Sequence, residues 1–129
     1  MYEISTAHIT DDYMRDRWAQ VKTYALMVLK RNPESLDDDS RPIVWEHARR
    51  MMALQAAGIM PIVCPCSASD DTISGISIFN TNVNEARAIM ADDPAVRAGI
   101  YTVEVHTCRS WPGDALEARV LNGAIRACR

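Results

Sequence analysis

The chain has 129 residues, which suits one domain and leaves little room for a second. Its hydrophobic content of 48% is ordinary for a globular protein, and the net charge of −3, with Lys and Arg scattered, argues against a nucleic-acid surface. No apolar segment is long enough to cross a bilayer, and the polar, acidic N-terminus differs from a signal peptide. We therefore expect one cytoplasmic domain without a nucleic-acid or membrane partner, with its four cysteines as thiols.

The N-terminal part of the chain predicts a short helix followed by a strand. Thr10 can cap the helix, and Asp11 and Asp12 favour its positive end. The strand is predicted over residues 24–29, where both faces are apolar, as in a central strand covered on two sides. A loop rich in Asp, Ser and Pro follows over residues 31–42.

Residues 44–57 predict a helix that ends at Gly58. Apolar side chains recur there at helical spacing, at Val44, Ala48, Met51 and Leu54. His47 falls on or beside this stripe, so a titratable ring is expected to point inward. The neighbouring charged side chains are expected to point elsewhere: Glu46, Arg49 and Arg50.

Two strands are predicted next, over residues 59–63 and 75–79, with a polar turn over residues 67–72 between them. Pro61 places the first of these strands at a sheet edge, because proline cannot donate a ladder hydrogen bond. Alternation along the second strand gives it two faces, one with Ile76 and Ile78 and the other with Ser77 and Phe79.

A second helix is predicted to begin at Asn82, which forms a capping-box pattern with Glu85. It is predicted to end before Pro94, since the residue that precedes a proline avoids the helical region, and that residue is Asp93. The last core strand is predicted over residues 101–108. One of its faces is polar and therefore lies in solvent, in a wet pocket or in a dimer interface: Thr102, Glu104, His106 and Cys108.

The predicted order is strand, helix, strand, strand, helix, strand, which is the ferredoxin-like βαββαβ unit of the α+β class. Its core spans about residues 21–110, with extra helical segments over about 1–20 and 114–127. The two core helices cover one face of a four-stranded antiparallel sheet and leave the other face bare. A second copy is the simplest cover, and a symmetric homodimer of facing sheets encloses a cavity for a small molecule.

Two segments carry a resemblance. Residues 45–51 read Trp-Glu-His-Ala-Arg-Arg-Met, and residues 88–105 read Ala-Ile-Met-Ala-Asp-Asp-Pro-Ala-Val-Arg-Ala-Gly-Ile-Tyr-Thr-Val-Glu-Val. Together with Pro112-Gly113-Asp114 they resemble the YCII-related family over about residues 21–114. The resemblance implies a dimeric α+β barrel and a His–Asp pair as the active site.

By position, that implied pair falls on His47 and Asp93. The family's activity is mostly unassigned. A dehydrochlorinase of a chlorinated hydroquinone resembles it, and similar barrels include muconolactone isomerases and small monooxygenases. A shared fold is better evidence for a shared architecture than for a shared reaction. One departure is Cys64-Pro65, which stands where the family usually has Gly-Pro and changes the expected shape of the pocket.

An imidazole with a carboxylate partner can act as a general acid or base near neutral pH. No serine or cysteine nucleophile signature and no glycine-rich phosphate loop accompany it, so we expect proton transfer without a cofactor. The prediction is an isomerase or lyase for a small aromatic or lactone-like metabolite, in which His47 moves the proton and Asp93 orients it. The predicted pocket lining is Tyr24, Ser77 and Phe79.

Two alternatives stay open. The first is a non-catalytic dimer that binds a small ligand or assists a partner enzyme, in which His47 is a buried histidine satisfied by the backbone. The second is a zinc site that joins Cys64 and Cys66 to His106 and Cys108. The second and fourth strands are expected at opposite sheet edges, so no metal site is predicted within one subunit.

Overall fold

A computed structural model describes residues 2–35, 38–67 and 73–113 of the chain. The predicted C-terminal helix, about 114–127, lies outside the described residues, and so does most of the predicted turn over 67–72. Within the described residues, no helix has the length and apolar character needed to cross a membrane.

The described residues divide into two compact units, Thr23–Arg109 and a second one that contains residues 2–22 and 110–113. In the second unit the predicted N-terminal helix is confirmed as α1, Asp11–Ala19, and Thr10 caps it by accepting a hydrogen bond from the Tyr13 N–H. The rings of Trp18 and Trp111 lie 5.1 Å apart between centroids.

The unit Thr23–Arg109 holds the sheet and its helices. Its elements in chain order are β1 (Lys22–Arg31), α2 (Arg41–Ala56), β2 (Ile62–Pro65), β3 (Ile73–Phe79), α3 (Val83–Ala91), α4 (Pro94–Arg97) and β4 (Tyr101–Ser110). Two short 3₁₀ turns precede α2, at Pro33–Ser35 and Asp38–Ser40. The strands form one four-stranded antiparallel sheet in the order β2-β3-β1-β4, which confirms the α+β class and is compatible with a ferredoxin-like fold.

The two faces of the sheet differ in burial. The inner face packs on the helices, and its buried side chains alternate along the strands: Ala25, Met27, Leu29, Ser77, Phe79, Tyr101 and Val105. The helices contribute Met51, Ala86 and Met90 to the same core. The outer face carries the intervening residues, which are only partly buried or exposed: Leu26, Val28, Ile76 and Ile78.

The region after α2 differs from its prediction. Strand β2 begins at Ile62, whereas Ile59 and Met60 lie in the turn that closes α2, with both N–H groups donating to the Leu54 carbonyl. Met60 is fully buried there, so its apolar character reflects core packing and not strand pairing. The edge position of β2 is confirmed by the strand order, although Pro61 precedes the strand instead of lying in it.

Two helix boundaries also differ. Helix α2 begins at Arg41, earlier than predicted, because Pro42 is well suited to a first helical turn. Helix α3 ends at Ala91, and a separate short helix, α4, begins at Pro94. Asp93 is therefore the residue that starts α4 and not the one that ends α3.

Gly99 gives a direct test of the turn that connects α4 to β4. Its φ is +78°, and an added Cβ would meet nothing within 4 Å, so the cost of a side chain is conformational. We expect Gly99→Ala to lower the free energy of unfolding by about 1 kcal/mol, measured by urea denaturation. Gly99→Asn is the matched control and should lose less, since asparagine tolerates this conformation better. Equal losses for Ala and Asn would contradict the conformational explanation.

Candidate functional site

His47 is a buried residue of α2. It is 7% exposed and lies one turn before Met51, the other buried residue of this helix. The inward position follows from the helical spacing of the apolar residues around it. A histidine enclosed in this way needs a hydrogen-bond partner, because a buried polar group without one is costly.

Asp93 supplies that partner from the start of α4. It is the N-cap of α4, and its Oδ2 accepts hydrogen bonds from the N–H groups of Ala95 at 3.0 Å and Val96 at 3.3 Å. Aspartate is among the preferred N-cap residues, and Pro94 fits the first helical position after it. The short helix therefore fixes the carboxylate, which has no exposed surface.

The two side chains meet in a short hydrogen bond. His47 Nδ1 lies 2.8 Å from Asp93 Oδ2. With an ionised carboxylate as acceptor, Nδ1 carries the hydrogen, which leaves Nε2 as the ring nitrogen for other chemistry. The Tyr101 ring packs on the imidazole at 4.8 Å between centroids, tilted by 52°.

The charge of Asp93 is set by opposing effects. Burial raises the pKa of its carboxyl group, but the hydrogen bond from His47, the charge of His47 and the two N–H groups of α4 outweigh burial. The pKa of Asp93 is therefore lower than its ordinary value of 3.8. The carboxylate is ionised throughout the neutral range and available to orient the imidazole.

This lowered pKa predicts a dependence of stability on pH. The contribution of ionised Asp93 is complete above the ordinary pKa of 3.8 and is lost as the pH falls below it, through the lower pKa of the folded state. Urea unfolding of the wild type and Asp93→Asn at a series of pH values measures this contribution as the difference in free energy. We expect the difference to shrink below about pH 4. Asp92→Asn, one residue earlier on the surface, is the control, and a difference that does not change with pH would contradict the assignment.

A cavity of about 220 Å³ adjoins His47 on the inner side of the sheet. It lies between α2 and the strands, and most of its lining is apolar: Met27, Leu29, Val44, Ala48, Met51, Met52, Val63, Pro65 and Gly75. The polar or reactive residues of the lining are His47, Cys64, Ser74, Ser77 and Tyr101. Of these, Cys64 pairs with the outer-face Ile76 in the sheet, so its side chain belongs to the outer face. Asp93 lies behind His47 and does not line the cavity.

The structure brings some of the predicted site residues together and not others. His47 and Asp93 are in contact, and Ser77 lines the cavity beside them. Phe79 is fully buried in the core and does not reach the cavity. Tyr24 alternates with the inward-facing Ala25 and so lies on the outer face of the sheet, away from His47.

Two residues of the site were not predicted. Tyr101 faces inward at the start of β4, and its alternation with Val103 and Val105 was the available signal. Arg50 was expected to point away from His47, which is wrong. Its Nη2 donates to the Ile89 carbonyl at 2.7 Å, and its Nη1 lies 3.7 Å from Asp93 Oδ1. The three-residue spacing from His47 places both side chains on one helix face and could have indicated this.

The two Cys-containing clusters do not meet within the chain. Strands β2 and β4 lie at opposite edges of the sheet, which separates Cys64 and Cys66 from His106 and Cys108. The three described cysteines are free thiols, and burial raises the pKa of the Cys108 thiol. Across residues 2–35, 38–67 and 73–113, no three His, Cys, Asp or Glu side chains are grouped closely enough to hold a metal ion.

No protein-family model matches the chain, and no curated protein matches it in sequence. The resemblance to the YCII-related family therefore stays a prediction, and the functional argument rests on the geometry of His47, Asp93 and the cavity.

Proposed function

We propose that this protein is a cofactor-independent enzyme that transfers a proton in the isomerisation or elimination of a small, largely apolar metabolite. The observation that carries the proposal is the buried pair of His47 and Asp93, 2.8 Å apart, at the wall of an apolar cavity. Imidazole is the side chain best suited to give and take protons near neutral pH. An apolar enclosure strengthens its electrostatic interactions with a reacting group.

Each member of the pair has a defined role in this proposal. In an isomerisation, His47 accepts the substrate proton at Nε2 and returns it to another atom of the substrate. In an elimination, the C–H electron pair forms the new double bond, the leaving group departs with its own bonding pair, and His47 then releases the proton to solvent. Asp93 stays ionised, holds Nδ1 and stabilises the imidazolium that forms, as the carboxylate does in hydrolase triads. The N–H groups of Ala95 and Val96 keep this carboxylate in place during the step.

The volume and the apolar lining of the cavity limit the size and the polarity of the substrate. Its volume of about 220 Å³ exceeds a cavity that holds benzene, roughly 150 Å³, and is smaller than most drug-binding pockets. A single substituted ring, aromatic or lactone, fits this size and the apolar lining. Ser77 and Tyr101 supply hydroxyl groups from two strands, which suits a ring that carries one or two oxygen substituents.

Turnover of compounds with these properties tests the proposal. The panel contains chlorinated hydroquinones, read by chloride release, and unsaturated five-membered lactones, read by the change in ultraviolet absorbance. We expect at least one compound to be converted by the wild type and not by His47→Gln. Arg49→Met, on the exposed side of the same helix, is the activity control. No conversion of any compound, or equal conversion by His47→Gln, would contradict the proposal.

A ligand-binding module is the second candidate function. The apolar lining favours it, because such a surface binds a small molecule without any chemical step. The effect of His47→Gln separates the two candidates. A binder loses only part of its affinity, whereas an enzyme loses turnover and retains most of its binding.

For the assembly we propose a ferredoxin-like unit that pairs with a second copy in the cytoplasm, as in the YCII-related family. The outer sheet face supports this, since it presents an apolar strip formed by Leu26, Val28, Ile76 and Ile78. The cavity beside His47 lies on the opposite, helix-covered face. Each protomer therefore carries its own cavity, and pairing through the outer face leaves it intact.

Native mass spectrometry tests the pairing. We expect a mass of twice the chain at micromolar concentration, and a monomer for Ile76→Glu, which introduces a charge at the centre of the strip. Ile76 is 38% exposed, so the fold tolerates this change. Met52→Glu, on the exposed side of α2, is the control and should remain dimeric. A monomeric wild type would contradict the pairing.

A further inference from the structure

Arg50 is held at two points beside the His47–Asp93 pair. Its Nη2 donates a hydrogen bond to the Ile89 carbonyl at 2.7 Å, and its Nη1 forms an ion pair with Asp93 Oδ1 at 3.7 Å. The second contact is too long for a hydrogen bond. The guanidinium is therefore anchored by α3 while its charge faces the carboxylate.

The two oxygens of Asp93 have unequal surroundings. Oδ2 accepts hydrogen bonds from His47, Ala95 and Val96, whereas Oδ1 has no hydrogen-bond partner among the described residues. A buried carboxylate oxygen in this state is costly unless a charge compensates it. Besides His47, Arg50 is the cation within ion-pair distance of Asp93 in the described part of the chain.

The net charge of the His47–Asp93 pair depends on whether His47 carries a second proton, and Arg50 acts on that balance. With its extra proton the pair is neutral, since it combines an imidazolium and a carboxylate. Without that proton the pair carries one buried negative charge. The carboxylate is ionised in both states, so the two states differ only in the charge of the imidazole. The Arg50 guanidinium, whose Nη1 lies 3.7 Å from the carboxylate that holds the imidazole, repels an imidazolium there and so favours the second state.

We propose that Arg50 is a positioning residue whose fixed charge favours the base form of the His47–Asp93 pair and so sets the pH range in which the site accepts a proton. This inference rests on the proposed function and extends it. It names the group whose fixed charge opposes that of an imidazolium beside Asp93.

The other groups around the pair do not replace Arg50. Tyr101 packs on the His47 ring from β4, whereas Cys64 of β2 pairs with the outer-face Ile76, so its side chain does not point toward that ring. The Arg31 guanidinium lies 5.8 Å from the centroid of the Tyr101 ring and donates a hydrogen bond to Ser40. These contacts of Arg31 are with Tyr101 and the start of α2, whereas Arg50 contacts Asp93.

The test is an NMR titration of the His47 ring in variants of Arg50. The chain has three histidines, and His47→Gln assigns the signal of His47. Arg50→Met removes the charge and keeps the aliphatic stem, so we expect the midpoint of the titration to move to higher pH. Arg50→Lys keeps a positive charge and should restore most of the shift. Arg49→Met removes an exposed charge that is paired with Glu46, and should leave the midpoint in place.

An unchanged or lower midpoint in Arg50→Met would overturn the inference and leave Arg50 as a structural link between α2 and α3. Arg50→Gln takes the place of Arg50→Met if the latter does not fold. The titration needs no substrate, so the two proposals fail separately. A raised midpoint in a protein that converts no compound would overturn the enzyme proposal and retain the role of Arg50.

Discussion

Replacing His47 by glutamine is expected to lower the rate of proton transfer by about 10²–10⁴-fold, the range for loss of a general acid or base. Glutamine has a similar reach and can still donate to Asp93 Oδ2, so the α2–α4 contact is retained. What it lacks is a nitrogen that exchanges protons near neutral pH. Steady-state kinetics on the compound identified by the panel measures the effect, which should fall on kcat and not on KM.

Two features of the result distinguish catalysis from packing. The variant should keep a urea midpoint close to that of the wild type, because the hydrogen bond to Asp93 is preserved. Met51→Leu, one turn further along the same buried face, is the matched control and should retain activity with a small change in stability. A rate for His47→Gln within about threefold of the wild type would remove His47 from the chemistry, since a general base contributes far more.

Replacing Asp93 by alanine is expected to lower the free energy of unfolding by about 3–5 kcal/mol, the cost of breaking a buried charged pair. The carboxylate has no exposed surface and joins two helices: it caps α4 and contacts two side chains of α2, accepting from His47 and facing Arg50. Its removal leaves a buried imidazole and a buried guanidinium nitrogen without their partner. Since a domain of this size is stable by only about 5–15 kcal/mol, the loss is visible in any unfolding experiment.

Further variants separate the contribution of the α4 cap to this loss from the contribution of the contact with His47. Asp93→Asn keeps the oxygen that caps α4, so it should lose less than Asp93→Ala. A cycle of His47→Ala with Asp93→Ala, each of which removes the hydrogen bond, should give a coupling energy of about 0.5–3 kcal/mol, as residues in direct contact do. Asp92→Ala is the neighbouring surface control. Additive losses would show that His47 and Asp93 do not act as a pair.

The sequence predicted the main parts of the fold because local signals agreed with the tertiary structure. The stripe of α2 with Gly58 after it, the capping box at Asn82 and the alternation along β4 each specify one element. The inward direction of the His47 side chain follows from the apolar stripe of α2. Pro94 placed Asp93 at a helix boundary, but the pairing of Asp93 with His47 came only from the resemblance to the YCII-related family.

Where prediction and structure differ, the deciding information is tertiary. Ile59 and Met60 are apolar because the turn after α2 enters the core, and a short apolar run cannot be told from a strand by pattern alone. Alternation gave Phe79 the correct face, but it does not show which side chains of that face border a cavity. Tyr24 lies on a strand whose two faces are both apolar, so the sequence did not fix which of them faces His47.

The most direct test of the central claim is the exchange of substrate hydrogen with solvent. The wild type and His47→Gln are incubated in D₂O with the small ring compounds of the panel, and deuterium at carbon is followed by mass spectrometry. This detects the elementary proton transfer even where no net product accumulates. The account predicts deuterium at one position of at least one compound with the wild type, and a rate for His47→Gln close to that without protein. Deuterium incorporation that is absent with the wild type, or equal with both proteins, would contradict a catalytic role for the His47–Asp93 pair.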